Sequence, residues 1–251
     1  MSQNTFKSKL QSGEPCIGAW LTVPSQVVAE AMATLGFDWM AVDLEHASIS
    51  TEQTASAFSI ANAYGCAPFA RIANADPYLA RNLLDAGAAG VIVANVISAK
   101  EFESFAAHCQ LPPKGRRGVA LTSANLWGAS FDSYVTDFEP VLVAQVESRA
   151  GAQAARDIAA LPSVDAIFLG PYDLSADLGT PGDFQNEAFL KAIRDVKAAC
   201  LENGKAAGIH QVAPDLNQLQ DKIDEGFGFV AYSTDLIAMR HALNYREGSD
   251  D

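Results

Sequence analysis

Two carboxylates follow directly on two consecutive apolar runs of this chain. Glu147 comes after Val141-Leu-Val-Ala-Gln-Val146, and Asp173 lies within Gly170-Pro-Tyr-Asp-Leu-Ser175. A carboxylate at the mouth of a buried strand loses hydration and needs water or a cation in return. Two that converge from neighbouring strand ends suit a hard divalent ion. Such an ion takes oxygen ligands and keeps positions open for water and substrate. Taken singly, each residue reads as a helix N-cap, because a helical stretch follows both. Taken as a pair, they favour a site for Mg²⁺, Mn²⁺ or Co²⁺. The turn from Gly170 through Pro171 and Tyr172 to Asp173 adds backbone N–H groups at a helix start, where an anion is welcome.

Other strand ends carry further chemistry. Asp43-Leu-Glu-His46 closes a second apolar run, and period-two alternation sets Asp43 and Glu45 on one side with His46 near them. A carboxylate beside an imidazole fixes its tautomer and raises its basicity, so His46 is a candidate base. The same cluster also reads as a cap for a helix beginning near Thr51. Arg71 ends a third run in Phe69-Ala-Arg-Ile72, and an arginine on an apolar strand must find an anion. Asp43, Glu45 or a substrate oxyanion would serve, and one guanidinium can bridge two of them. Gln145 points the same way as Glu147, and Trp20 ends the first run; each lines a pocket or belongs to the core. His210-Gln211 follow a seventh run, where a site role and a satisfied polar pair are both open. His108 and His241 fall in helical patterns and read as surface residues.

The elements that must position these residues come from an alternation of short apolar and longer amphipathic stretches. Eight strands are predicted: Ile17–Leu21, Trp39–Val42, Pro68–Ile72, Gly90–Ala94, Val141–Val146, Ala166–Leu169, Ala206–Ile209 and Phe229–Tyr232. Their apolar content is nearly continuous, as in strands buried on both faces. Helical stretches lie between them, opened by capping residues such as Ser25, Asp76-Pro77, Ser98 and Asp215 and closed by glycines such as Gly36, Gly87 and Gly204. Eight βα units in a row mean a closed (β/α)₈ TIM barrel or a doubly wound sheet. The barrel is favoured, because the candidate residues all fall at C-terminal strand ends, the rim where barrel sites are built. Residues 1–251 form one domain in this reading. A long loop covers about 111–139, rich in Pro, Gly, Ser and Asn, and a polar, flexible tail covers 246–251.

Bulk numbers narrow the function classes. The chain has 251 residues, 49% of them hydrophobic, and a net charge of −13. That charge speaks against nucleic-acid and anionic-membrane partners. No apolar run reaches membrane-spanning length, and the N-terminal residues lack the apolar core of a secretory signal, so the expected compartment is the cytoplasm. The four scattered cysteines read as reduced, buried thiols. No lysine occupies a C-terminal strand end, which disfavours Schiff-base chemistry. Phosphate-binding glycine motifs and a nucleophile elbow are absent.

With these residues placed, the chain resembles the HpcH/HpaI family of class II, metal-dependent pyruvate aldolases, over about Ile17 to Ala242. The resemblance rests on Gly36-Phe-Asp-Trp39, Asp43-Leu-Glu-His46, Ala70-Arg71, Asp85-Ala-Gly-Ala-Ala-Gly90, Pro112-Pro-Lys-Gly-Arg-Arg-Gly118, Gln145-Val-Glu147 and Gly170-Pro-Tyr-Asp-Leu-Ser175. It implies a (β/α)₈ barrel assembled as a homohexamer, a dimer of trimers. It implies reversible aldol cleavage of a 4-hydroxy-2-oxo acid to pyruvate and an aldehyde, through a pyruvate enolate that a divalent cation stabilises. By the same resemblance, Glu147 and Asp173 bind the metal, Arg71 polarises the keto oxygen, and His46 with Asp43 moves a proton through water. Gln145 positions substrate, the Gly170–Asp173 turn receives the carboxylate, and Trp20 lines the pocket. Many members carry a loop arginine where this chain reads Thr122-Ser123-Ala124, a smaller residue at Tyr172, or an apolar residue near His210. All three departures concern the aldehyde rather than pyruvate. Two alternatives are a citrate- or malyl-CoA-type lyase, which would need a basic groove and finds only Arg116-Arg117, and a non-catalytic barrel that binds an oxo acid.

Overall fold

A computed structural model describes residues 3–244. Eight parallel strands close into a barrel in sequential order: β1 (Cys16–Leu21), β2 (Trp39–Asp43), β3 (Ala67–Ile72), β4 (Gly90–Val93), β5 (Val141–Val146), β6 (Ala166–Leu169), β7 (Ala206–Gln211) and β8 (Phe229–Thr234). All eight predicted strands are present, with β2, β7 and β8 running one or two residues further toward the rim and β4 stopping one residue short. Predicted caps hold as well. The Ser25, Ser98, Asp76 and Asp215 side chains each accept from the first helical turn, and Pro77 occupies the first turn of its helix.

The barrel interior is filled by aromatic rings fitted against small residues. Trp39 stacks on Phe229 at 4.3 Å, and a side chain at Gly18 would collide with the Trp39 ring. Gly90 likewise makes room for Phe69, and Gly208 for Phe168 and Phe229. Alternating large and small positions on neighbouring strands is how a barrel core reaches full packing. Helix α1 (Gln3–Gln11), absent from the predicted elements, supplies buried Phe6 and Leu10 to this core. Phe6 meets Phe69 at 5.3 Å and Phe229 at 6.4 Å, so this short helix plugs the interior from the N-terminal end.

The stretch expected as loop at 111–139 carries structure of its own, a 3-10 segment at Ser123–Gly128 and α2 (Phe131–Asp137). Its brace is Arg117. The guanidinium is buried, donating to Asp85 Oδ1 at 2.6 Å and the Tyr134 hydroxyl at 2.9 Å, against the Tyr134 and Phe138 rings. Leu126 and Trp127 at the tip both adopt positive φ, at 53° and 56°, and both are exposed. The expected flexible tail, 246–251, lies outside the described residues.

Burial pushes the thiols of Cys16, Cys66, Cys109 and Cys200 up to about 12, and all four are free. Among the described residues, no helix is long and apolar enough to cross a membrane.

Candidate active site

Strand alternation sends one set of side chains inward at the C-terminal rim: Trp20, Asp43, Arg71, Gln145 and His210. Asp43 and Arg71 are register partners on β2 and β3. Arg71 donates to Asp43 from Nε at 2.9 Å and from Nη2 at 2.5 Å, and its Nε also stands 3.4 Å from Glu45 Oε2. The guanidinium lies over the Trp20 ring at 4.5 Å. Asp43 is only 2% exposed. Burial raises its pKa, but the hydrogen bonds and charge of Arg71 outweigh burial and hold the carboxyl below its ordinary range.

The expected bridge between both acidic residues and one arginine is therefore present. Asp43 does not touch the His46 ring, however. Its Oδ1 accepts the backbone N–H of Glu45 at 3.1 Å and of His46 at 3.3 Å, so it sets the turn that carries the imidazole. The carboxylate beside the ring is Glu45, 3.7 Å from His46 Nε2. The His46 side chain is 65% exposed and stands at the mouth. Glu45, which the sequence offers as a partner for Arg71, thus also faces the imidazole.

Glu147 is half-buried just beyond β5, and its Oε2 accepts from the Gln145 amide. Burial drives its pKa above the ordinary glutamate range; the Gln145 bond lowers it, while Glu45 and Asp173 raise it. Glu45 is raised too, chiefly by burial and with a contribution from Asp173. Three carboxylates from three strand ends thus feel one another. Asp173 itself is exposed, in the first turn of α3 (Pro171–Asp177). Tyr172 is exposed beside it, with its ring 5.1 Å from Phe184, while Pro171 is buried.

Gly170 caps α3 and leaves the space Glu147 occupies. A Cβ there would fall 2.8 Å from Glu147 Oε2 and 3.3 Å from Gln145 Nε2. Its φ of −93° is open to any residue, so the requirement is room rather than backbone freedom. Gly170→Ala should therefore fold normally yet displace the Glu147 carboxylate. We expect divalent-cation affinity to fall about tenfold or more, as for other disturbances of ligand orientation. Calorimetric titration with Mn²⁺ checks this, and unchanged affinity would show that Glu147 is not held by this contact.

The donor set fits a hard cation. It comprises Glu147 and Asp173 with Glu45 behind them, plus the buried Gln145 Oε1, which lacks a hydrogen-bond partner. Among the described residues no group of three or more His, Cys, Asp or Glu is placed to hold a metal ion by itself. Two carboxylates with open positions are what an ion sharing its shell with substrate and water requires. The remaining candidates divide. Gln211 is satisfied by Ala213 O at 3.1 Å and Gln218 Oε1 at 2.7 Å, whereas His210 points inward with Nε2 unpartnered. Lys205 precedes β7, where it interacts with Lys7 and Asp165. Arg117 is committed beneath the long loop, which removes one of the two arginines a CoA-binding groove would have used.

Similar proteins match over nearly the whole chain. The family model described as HpcH/HpaI aldolase/citrate lyase matches residues 16–242. A hydroxypyruvate/pyruvate aldolase of Chromohalobacter salexigens is 38% identical over 245 residues, 96% of this chain and 95% of its own. A 2-keto-3-deoxy-L-rhamnonate aldolase of Shigella sonnei is 33% identical over 251 residues, covering 97% and 91%. The crystal structure of an HpcH/HpaI aldolase/citrate lyase family protein from Burkholderia cenocepacia J2315 superposes with a TM-score of 0.88 at 31% identity, covering 98% and 100%. With the match spanning nearly every βα unit, the chain belongs to the HpcH/HpaI aldolase/citrate lyase family.

Proposed function

We propose that this chain is a divalent-metal-dependent aldolase that joins pyruvate to an aldehyde and cleaves the resulting 4-hydroxy-2-oxo acid. The observation that carries the reading is the opposed treatment of carboxylates at one rim. Asp43 is held ionised by Arg71, while Glu147, half-buried and with Glu45 and Asp173 adding to the effect of burial, lacks a positive partner of its own and is suited to take a cation. Glu147 and Asp173 would hold Mg²⁺, Mn²⁺ or Co²⁺. When bound, the cation supplies Lewis-acid polarisation of the 2-oxo acid.

The protein's own residues do the rest. Arg71, kept rigid by Asp43 and Glu45, presents positive charge to the keto oxygen where negative charge develops. His46 takes a proton from the pyruvate methyl through a water molecule, leaving the C–H electron pair in the enolate. Enolate C3 attacks the aldehyde carbon, and the carbonyl π pair becomes an alkoxide that His46 reprotonates by the same route. Asp43 fixes the turn bearing His46, Glu45 faces the ring, and Gln145 steadies Glu147. Gly170, Pro171 and Tyr172 form the wall of the carboxylate subsite, and Trp20 forms its floor under Arg71. This reading includes a cytoplasmic homohexamer, a dimer of trimers; the exposed Leu126 and Trp127 on the long loop suit burial at a contact between subunits.

The test is deuterium uptake into the pyruvate methyl group in D₂O, with Mg²⁺ or Mn²⁺ and then with EDTA. Uptake that requires the metal is expected. Absence of uptake under every metal, with or without an added aldehyde, would overturn the pyruvate reading.

A further inference from the structure

His210 has no place in the steps above, yet it is built into the same rim. Its ring packs edge-on against Trp20, with centroids 5.8 Å apart and planes at 68°. Arg71 lies over that same Trp20 ring, and the charges of Arg71 and Asp43 both reach the imidazole. Two polar atoms in this corner, His210 Nε2 and Trp20 Nε1, are buried and have no hydrogen-bond partner. Buried polar atoms are nearly always paired, so two orphans on adjacent rings mark a place for a ligand atom or an ordered water.

The backbone is shaped to hold this corner. His210 is the register partner of Ala231 on β8. Two residues on, Ser233 is buried with φ at 60°, where a non-glycine residue is strained. The β1–β8 register shifts beside it, between Gly18 and Trp20. A bulge of this kind re-aims side chains at a barrel rim. The Ser233 main chain hydrogen-bonds the imidazole in a way that favours a proton. As Nε2 has no partner, that proton sits on Nδ1, which leaves Nε2 as a lone-pair acceptor. Burial and the Arg71 charge push the His210 pKa down to about 4, consistent with an uncharged ring.

We propose that His210 is a specificity-determining residue that accepts a hydrogen bond from a substrate hydroxyl through Nε2. A hydroxyl suits the corner because it donates to the imidazole and can accept from the Trp20 N–H. A methyl group or a bare carbonyl oxygen would leave the His210 lone pair unmatched. Two substrates could carry that hydroxyl: a 3-hydroxy-2-oxo acid in place of pyruvate, or a 2-hydroxyaldehyde in place of a plain aldehyde. The inference rests on the aldolase reading and deepens it by naming what the pocket selects.

The experiment compares wild type, His210→Phe and His210→Gln in two substrate pairs. One pair is hydroxypyruvate against pyruvate with a fixed aldehyde; the other is glycolaldehyde against acetaldehyde with pyruvate. The expected result is a fall of about tenfold or more in the kcat/KM ratio of hydroxylated to plain substrate for His210→Phe, in one pair. His210→Gln, which retains an acceptor, should recover part of the ratio. The pair that responds identifies which substrate carries the hydroxyl. If both ratios stay within about twofold of wild type, whether or not all rates fall together, the proposal is overturned and the corner holds a water. Failure of the aldolase reading shows separately, as absence of metal-dependent pyruvate exchange in wild type. Calorimetric binding of hydroxypyruvate against pyruvate, and of glycolaldehyde against acetaldehyde, to wild type and His210→Phe then decides, and an unchanged preference in both pairs overturns the proposal.

Discussion

Replacing Glu147 by alanine should reduce metal-dependent turnover at least about 10³-fold, since several kcal/mol of charge stabilisation disappear with the cation. The structure adds a second expectation with the opposite sign for stability. Glu147 is half-buried, and its pKa is raised first by burial and further by Glu45 and Asp173. Its charged form is therefore unfavourable in the metal-free fold. A carboxyl whose folded pKa lies above its unfolded value binds protons more tightly when folded. Stability then falls as pH rises from the ordinary glutamate range through the raised pKa. The penalty is absent below that range, where both states are protonated. Glu147→Gln removes the charge and should melt above wild type in EDTA at neutral pH, with the difference vanishing on acidification. Added Mn²⁺ should reverse the order, because only wild type gains stability from the bound ion. Melting curves across pH, with and without metal, read all of this. A variant that melts lower in EDTA at neutral pH, or Glu147→Ala with near-normal metal-dependent turnover, would show that Glu147 has another purpose.

Arg71→Ala should damage both chemistry and fold. Loss of a positive group at a developing oxyanion costs about 3–4 kcal/mol in transition-state energy, a few hundredfold in rate. Independently, Asp43 would remain buried with only the backbone N–H groups of Glu45 and His46 as partners. Removing one partner of a buried pair typically costs about 3–5 kcal/mol. Denaturant unfolding should show that loss directly. Asp43→Asn combined with Arg71→Ala should recover most of the stability and none of the turnover, which separates the two roles. The acid response should change as well. In wild type the stabilisation from Asp43 is present above the ordinary aspartate range and lost as pH falls through its lowered pKa. In Arg71→Ala burial, the largest influence on Asp43, is opposed only by the backbone N–H groups of Glu45 and His46, so the dependence should invert and the variant should gain stability on mild acidification. Equal unfolding midpoints for wild type and Arg71→Ala would mean that Asp43 is far better solvated than its burial implies.

Much of this site is legible in the order of residues alone. Strand ends are visible because a doubly buried strand is nearly all apolar, so the first polar residue after it marks the rim. Glu147, Asp173, Asp43 and Arg71 stand out in that way. Other features have no local signal. The α1 plug is short and weakly apolar; Phe6 and Leu10 matter because the barrel has an open end to fill. Arg117 reads as half of a basic pair, but the fold buries it against Asp85, thirty-two positions away in the chain. Ser233 is an unremarkable serine until the β1–β8 register shifts beside it.

By itself, then, the sequence determined the eight βα units, the caps that start their helices, the identity of the rim residues and the family to which they belong. These follow from periodicity and from short motifs, which are properties of neighbouring residues. Only the tertiary structure decided which partner each rim group takes. Arg71 clamps Asp43 and Glu45 together, Asp43 holds the backbone of His46 rather than its ring, and His210 keeps an unmatched nitrogen beside Trp20. Those choices depend on barrel closure, which brings Thr22 within 2.9 Å of Asp235 across 213 positions. No local pattern encodes a distance between residues so far apart in the chain. It is set when the strands close with a particular stagger and every buried charge must find the nearest group able to satisfy it.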